Sequence, residues 1–354
     1  MIDAKILICY NSPVSIFPVY NGKAGKKAAA SEVTDLSESG FSREIVKIKK
    51  CLKENFSQVQ SFAVDRNVER TVKKLNSWSP DVIFNFVESV EGIASYEYCV
   101  AALYQLLGFQ FTGNIASCLG NCLNKFRTKT ILKSYGINTP GAVTVKANDK
   151  IAEKDFKLKF PVILKLLNED ASIGISENSV VDDFKKLNKH LRFLQKTYKQ
   201  DILIEEYIDG RELNVAVLGG EVLPISEIVF AGLPGGLPKI VTYESKWIEN
   251  SVYYEFTKPQ CPAVLNKKIE KKLNEIALLA YNAMNCRDYA RVDIRLDKNN
   301  VPYVIEVNPN PDISTDSGFA RAAAAKGMSY QQLLASIANF AINRKENDQK
   351  TKTN

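Results

Sequence analysis

Residues 289–308 leave the chain few options other than a two-stranded ribbon. Tyr289-Ala-Arg-Val-Asp-Ile-Arg-Leu296 alternates apolar and polar side chains, Asp297-Lys-Asn-Asn300 supplies a turn, and Val301-Pro-Tyr-Val-Ile-Glu-Val-Asn308 alternates again. With the four turn residues as the loop, Leu296 pairs with Val301, Asp293 faces Val304 and Arg291 faces Glu306. One face then carries Arg291, Asp293, Glu306 and Asn308, and the other Val292, Ile294, Ile305 and Val307. Any half-buried hairpin alternates in this way. The polar face here, however, holds two carboxylates, one carboxamide and one guanidinium, without lysine or threonine. All-oxygen donors of this kind suit a hard cation, and Mg²⁺ is typically held by one or two carboxylates together with substrate phosphates. Arg291, a permanent cation, is excluded as a ligand but can stabilise developing negative charge beside a metal-bound phosphate.

A chain of 354 residues is too long for one ordinary core. Its first third alternates short β-branched or aromatic runs (residues 5–10, 61–65 and 81–87) with helical patterns such as 42–55, which is βαβ wiring around a parallel sheet. A helix near 95–107 leads to a short run at Phe109–Thr112, and another helix follows Asn121 and ends before Gly136. Beyond Gly141 the pattern becomes α+β, with strands at 143–145, 162–166 and 202–206 and a helix near 181–199. The last third holds a strand at 212–218, a loop with Gly232, Gly235 and Gly236, a long helix over 264–284, the ribbon, and a terminal helix that Ser329 and Gln332 can open with a capping box. Three units are expected, at 1–115, 116–210 and 211–345, followed by a disordered polar tail over 346–354.

Several classes of function are disfavoured. No apolar stretch approaches eighteen residues, so neither a membrane span nor a signal core is expected and the chain reads as cytoplasmic. The net charge of +7 is spread over helices and the tail, and no basic stripe is interleaved with exposed aromatics, so nucleic acid is not an expected partner. Seven cysteines, mostly inside apolar stretches, suit reduced thiols. Cys118 and Cys122 stand four apart, but no second Cys/His pair is evident to complete a zinc site, so none is expected. His190, the single histidine, lies in a charged helix and reads as a surface residue rather than a base.

The segment 22–27 lacks the spacing and hydroxyl of a Walker loop, and no G-x-G-x-x-G follows a strand. Phosphate contacts can come instead from Lys125 and from Lys165, a lysine inside the apolar strand Val162-Ile-Leu-Lys; such a lysine either meets an anion or extends its head to solvent. Asp170-Ala-Ser172-Ile-Gly-Ile-Ser176 can wrap backbone N–H groups around phosphate. At the end of the strand 202–206, backbone near Glu206 and Ile208 can hold adenine, while Glu206 or Glu212 can accept from an amine or a ribose hydroxyl.

Taken in order, these segments resemble the D-alanine–D-alanine ligase branch of the ATP-grasp superfamily from about Asp81 to Ala341. The resemblance is carried by Leu106-Leu-Gly-Phe-Gln-Phe-Thr-Gly113, Asn124-Lys-Phe-Arg-Thr-Lys129, Pro161-Val-Ile-Leu-Lys165, Ser172-Ile-Gly-Ile175, Ile204-Glu-Glu-Tyr-Ile208, Gly210-Arg-Glu212, Tyr243-Glu-Ser-Lys246, Tyr289-Ala-Arg-Val-Asp293 and Glu306-Val-Asn308. It implies an ATP-grasp fold behind an N-terminal Rossmann-like domain. ATP would lie between the central and C-terminal units, with Lys125, Lys165 and Lys246 on phosphates, Glu205 near adenine and Glu212 on the ribose. Asp293, Glu306 and Asn308 would hold Mg²⁺ or Mn²⁺, and a loop at 231–247 would close over the site. The reaction implied passes a γ-phosphate to a carboxylate, giving an acylphosphate that an amine attacks, with Arg291 and Lys246 as catalytic residues. The expected ligands are amino acids or dipeptides, and relatives of this kind are commonly homodimers.

The substrate contacts depart from that pattern. Ala171 stands where a serine is usual, Trp247 replaces a tyrosine, Glu88 and Glu91 occupy the place of a His-Gly segment, and Glu32 does not align with the usual N-terminal glutamate. Asp312 stands where glycine is usual, near the acceptor's carboxylate, with Ser317 close behind. It would either repel that carboxylate or turn away and cap a helix. The expectation is intact ATP machinery with altered amino-acid substrates. The alternatives are a true D-alanine–D-alanine ligase of cell-wall synthesis, a silent ATP-binding regulatory protein, and an ATP-grasp carboxylase. The last lacks any biotin-carrier-like segment.

Overall fold

The structure, a computed structural model, describes residues 1–12, 16–17, 33–34 and 41–353, so Glu32 lies outside it. β1 (Ile2–Asn11) is the centre of a parallel sheet; a small ribbon of β2 (Ile16–Phe17) and β3 (Val33–Thr34) follows. After α1 (Phe41–Lys53) come β4 (Phe56–Val64), α2 (Val68–Trp78) and β5 (Val82–Phe86), giving the sheet order β4-β1-β5. Ile6 and Ile8 pack on one face with α1, and Leu7 and Cys9 on the other with Leu75 of α2 and Tyr104 of α3 (Tyr96–Leu106). That two-sided burial explains why β1 reads as a continuous apolar run.

Residues 109–112 form no strand. Only a bridge between Ile83 and Phe111 extends the sheet there. The single helix expected after Asn121 is two, α4 (Ala116–Leu123) and α5 (Lys125–Ser134), because Asn124 adopts extended backbone and caps α5 through the amide of Arg127.

The second sheet is antiparallel, in the order β6-β9-β7-β8, from β6 (Ala142–Val145), β7 (Val162–Leu166), β8 (Val180–Val181) and β9 (Ile202–Glu206). Val162, Leu164, Ile202 and Ile204 bury one face against α6 (Phe184–Tyr198), leaving Ile163, Lys165, Leu203 and Glu205 on the other. His190 is not a surface residue: with Leu187, Leu191 and Leu194 it lies on the buried stripe of α6, where its Nε2 is 3.4 Å from Ser179 Oγ. The helical period, not the charge of the helix, decides its place.

The third sheet runs β13-β12-β10-β14-β15, with β11 (Glu221–Val222) paired off β10 (Gly210–Leu218). Between β12 (Ser226–Val229) and β13 (Lys258–Gln260) lie α7 (Tyr243–Trp247) and α8 (Val252–Phe256), and α9 (Lys267–Ala283) precedes β14 (Tyr289–Asp297) and β15 (Pro302–Asn308). Gly210 allows β10 to start against β14: a Cβ there would sit 2.0 Å from the Leu296 carbonyl oxygen.

The hairpin register differs from the expected one. Lys298, Asn299 and Asn300 form a three-residue loop closed by the amide of Asp297 on the Val301 carbonyl, with Asn300 left-handed at φ 59°, so Leu296 pairs with Pro302. A bulge then places Asp293 opposite Glu306 and Arg291 opposite Asn308. Its extra residue is Ile305, which lines the cleft, while Val304 takes the core place expected for it. The four polar residues still share one face.

The cores do not follow the expected unit boundaries. Cys118 and Cys122 of α4 and Leu132 of α5 pack with Leu213, Val292 and Leu273, so these helices belong to the core of the third sheet. At the other end, α10 (Gly318–Ala325) and α11 (Tyr330–Thr353) return to the first sheet, burying Phe319, Leu333 and Ile337 against Ile6, Ile8 and Phe84. Ser329 and Gln332 form the capping box that opens α11. The helix α11 runs on to Thr353, through the stretch expected as a disordered tail.

Candidate active site

The second and third sheets face each other across a cleft of about 870 Å³. Strand alternation fills its walls. From the second sheet come Ile163, Lys165 and Glu205; from the third come Glu212 and Asn214 of β10, Arg291, Asp293 and Arg295 of β14, and Glu306 and Asn308 of β15. Glu88, Lys125, Ala171, Ser172, Glu206, Ile208, Lys246, Trp247, Asp312 and Ser317 also line it, whereas Glu91 pairs with Arg66 at 3.0 Å outside the lining.

Asp293 is the most heavily held of the oxygens. Arg291 grips it with Nε at 2.7 Å and an NH2 nitrogen at 2.8 Å, and the Asn214 amide donates to it at 2.7 Å. Burial alone would weaken the Arg291 charge, but Asp293 more than offsets it and raises the pKa further. Lys125 Nζ lies 3.4 Å from Glu306 and 2.9 Å from Asp170, and also donates to the Glu169 carbonyl. Burial opposes ionisation of Glu306, yet Lys125 holds its pKa down at about 2. Burial and the charge of Glu306 instead raise Asp170, so Glu306 ionises first of these two neighbouring carboxyls.

Glu205 sits between two lysines, Lys129 at 2.6 Å and Lys165. Against the cost of burial, the two cations bring its pKa down to about 2. Lys129 is itself shifted downward, because its burial and the charge of Lys165 outweigh Glu205. Glu212 pairs with Arg295 at 2.7 Å, and the Arg295 guanidinium lies over the Tyr207 ring. Of the strand-end amides, Glu206 and Tyr207 donate to the carbonyls of Gly141 and Pro161. Glu206 also accepts from the Lys159 amide.

The segment from Phe230 to Trp247 covers one side. Tyr207 Oη donates to the Lys239 carbonyl, Arg295 reaches the same carbonyl, the Tyr243 amide donates to Ile175, and Trp247 Nε1 donates to Ala171 at 3.3 Å. Ala171, Ser172 and Gly174 all have positive φ, which gives the loop 170–175 its tight curl beneath this segment. Lys246 emerges here with its surface open to solvent.

At the far end, Asp312 does not cap a helix. It accepts from the amide and hydroxyl of Ser314, forming a turn, and faces the cleft, while Ser317 is the residue that caps α10. Ser314 also donates to Asp316, and Glu44 of α1 pairs with Lys47 at 2.5 Å beside them. This end therefore gathers Glu44, Asp312 and Asp316, with Lys47 and Arg321 beside them and Arg291 near enough to feel the charge of Asp312.

Lys129, Asn214 and Arg295 carry no role in the sequence reading. Each had a positional signal: Lys129 is one helical turn from Lys125, Asn214 is two residues from Glu212 on β10, and Arg295 two from Asp293 on β14.

A model of the family described as D-ala D-ala ligase C-terminus matches residues 131–339. An uncharacterised protein of Sinorhizobium fredii, y4sG, is 34% identical over 74% of this chain and 75% of its own length. The D-alanine–D-alanine ligase of Aquifex aeolicus is 29% identical over 82% of this chain and 91% of its own. Among solved structures, the D-alanine–D-alanine ligase of Bacillus anthracis complexed with ATP superposes with a TM-score of 0.72 at 21% identity, covering 98% of this chain and 99% of that one, a likeness of fold.

Proposed function

The chain belongs to the D-alanine–D-alanine ligase family of ATP-dependent, ADP-forming ligases, and from that membership we propose that it joins a carboxylate donor to a cationic amine acceptor. The observation that carries this reading is one wall of Asp293, Glu306 and Asn308 set across a cleft with Lys125, Lys165 and Lys246. The wall offers oxygens and the other side chains offer cations, as a metal–triphosphate requires.

The all-oxygen set Asp293, Glu306 and Asn308 fits Mg²⁺ or Mn²⁺, which when bound would neutralise phosphate charge. Lys125 and Lys165 bind the phosphates, Glu205 keeps Lys129 and Lys165 in place, and Glu212, oriented by Arg295, accepts from the ribose. A donor carboxylate oxygen takes the γ-phosphoryl group from ATP, releasing ADP. The amine nitrogen then attacks the acyl carbon, inorganic phosphate leaves, and the nitrogen loses a proton. In this reading Arg291, held by its two bonds to Asp293, stabilises the oxyanion of that second step.

The acceptor preference rests on the far end of the cleft. Asp312 and Asp316 stand there beside the Glu44–Lys47 pair, with Arg321 as the further cation. Like charge would oppose an acceptor carboxylate and favour an ammonium-bearing or carboxylate-free amine.

Phosphate release by the purified protein, with MgATP and a matrix of donors and amines, tests this reading. Release should require both partners and should be strongest with a basic acceptor. Robust D-alanyl-D-alanine formation would overturn the acceptor assignment and leave the ligase standing. ATP binding without turnover across a broad matrix would favour a regulatory role instead.

A further inference from the structure

We infer that Cys118, Cys122 and Cys286 form a three-thiolate site for one soft, thiophilic cation behind the active-site cleft. Their sulfurs all lie within 4.8 Å of one another, and those of Cys118 and Cys286 are 3.6 Å apart. Three sulfurs bound to one ion at about 2.3 Å stand roughly 3.8–4.0 Å from each other, so small side-chain adjustments suffice.

The site is assembled by backbone rather than by chance proximity of flexible groups. One helical turn separates Cys118 from Cys122, which puts both sulfurs on the buried face of α4. Cys286 comes from the turn between α9 and β14, and that turn is anchored beside α4: the Arg287 amide donates to Asn114 Oδ1 at 2.6 Å and Arg287 Nε to the Gly113 carbonyl at 2.6 Å. Cys118 and Cys122 are almost fully buried, whereas Cys286 is only partly buried and gives a path for entry. The apolar neighbours Ile115, Leu132 and Met284 offer no ligand, and the one oxygen beside the cluster, Asn114 Oδ1 at 3.6 Å from Cys118 Sγ, already accepts from the Arg287 amide, so the three sulfurs set the donor chemistry and favour Cu(I), Zn(II) or Cd(II) over Mg²⁺. Binding would replace three S–H bonds by three S–metal bonds and release three protons to solvent.

An ion here would tie together the two segments that set the proposed site. Residue 122 is three before Lys125, and residue 286 is five before Arg291. The site is independent of which substrates the enzyme uses.

The test uses the full-length reduced protein, with Cd(II) as probe and thiolate-to-Cd(II) charge-transfer absorbance as readout; Zn(II) and Cu(I) are then measured by competition with chelators. The expected result is one Cd(II) per chain with the intensity of three thiolates. Cys286→Ala and the double variant Cys118→Ala/Cys122→Ala should each weaken binding by at least about 100-fold, the upper end of what losing a mere supporting partner costs. An unchanged ATP-induced thermal shift certifies that each variant is folded, and Cys286→Ser offers a second, nearly isosteric variant. Equal affinity and intensity in wild type and Cys286→Ala, or no thiolate band at all, would overturn the site and leave the three cysteines as apolar filler.

Discussion

Lys129 and Glu205 form an ion pair at 2.6 Å with side-chain exposures of only 3% and 2%, and Lys165 closes on the other carboxylate oxygen. Two lysines thus share one buried counter-charge at the back of the cleft, leaving a surplus of positive charge where a polyanion is proposed to bind. Such a trio is held by mutual dependence. Removing the shared partner strands two cations, and breaking a buried pair in this way costs about 3–5 kcal/mol. Glu205→Gln should therefore lower the urea midpoint sharply, and MgATP should recover part of the loss. An unchanged midpoint would show that the lysines find other anions.

Burial of His190 lowers its pKa from 6.5 to about 4. The unfolded chain takes up its proton near 6.5, before the folded one does. Stability is therefore complete above that value and is lost as the pH falls through the window from 6.5 to 4, by up to about 3 kcal/mol. His190→Leu should flatten that part of the stability profile measured by chemical denaturation. An equally steep profile in the variant would place the titration elsewhere.

Arg291 is fixed to Asp293 by two hydrogen bonds, a geometry that lysine cannot reproduce. Arg291→Lys should lower kcat by on the order of 100-fold through lost oxyanion stabilisation. ATP affinity, measured by calorimetry, should change little. A loss confined to ATP affinity would move Arg291 from the acyl-transfer step to nucleotide binding.

Asp312→Asn removes the charge but retains an acceptor for the Ser314 amide. It should raise kcat/KM for carboxylate-bearing acceptors by about tenfold, equivalent to about 1.4 kcal/mol of relieved repulsion, and lower it for cationic ones. If both acceptor classes respond alike, Asp312 serves the turn alone.

The legible part of the molecule was the part governed by strand alternation. Arg291, Asp293, Glu306 and Asn308 share a face because side chains alternate, and that held even though the register shifted by a bulge at Ile305. The bulge left little trace in a run of apolar residues, any of which could have been the extra one. Alternation also separates Lys165 and Glu205 from the core residues Leu164 and Ile204. Contacts between distant segments were not legible. Nothing local to α4 says that it packs under the third sheet, that Cys286 comes to meet Cys118, or that α11 returns to β1. The neighbours of His190 in sequence are charged and suggest a surface position, whereas its neighbours on the helix face are leucines and bury it.

The most direct test of the central claim is Mn²⁺ binding followed by electron paramagnetic resonance, with and without ATP, in wild type and in Asp293→Asn/Glu306→Gln. The predicted result is tight Mn²⁺ binding in the presence of ATP that the double variant loses by at least about 100-fold while remaining folded. Undiminished ATP-dependent Mn²⁺ binding by the folded double variant would contradict the account.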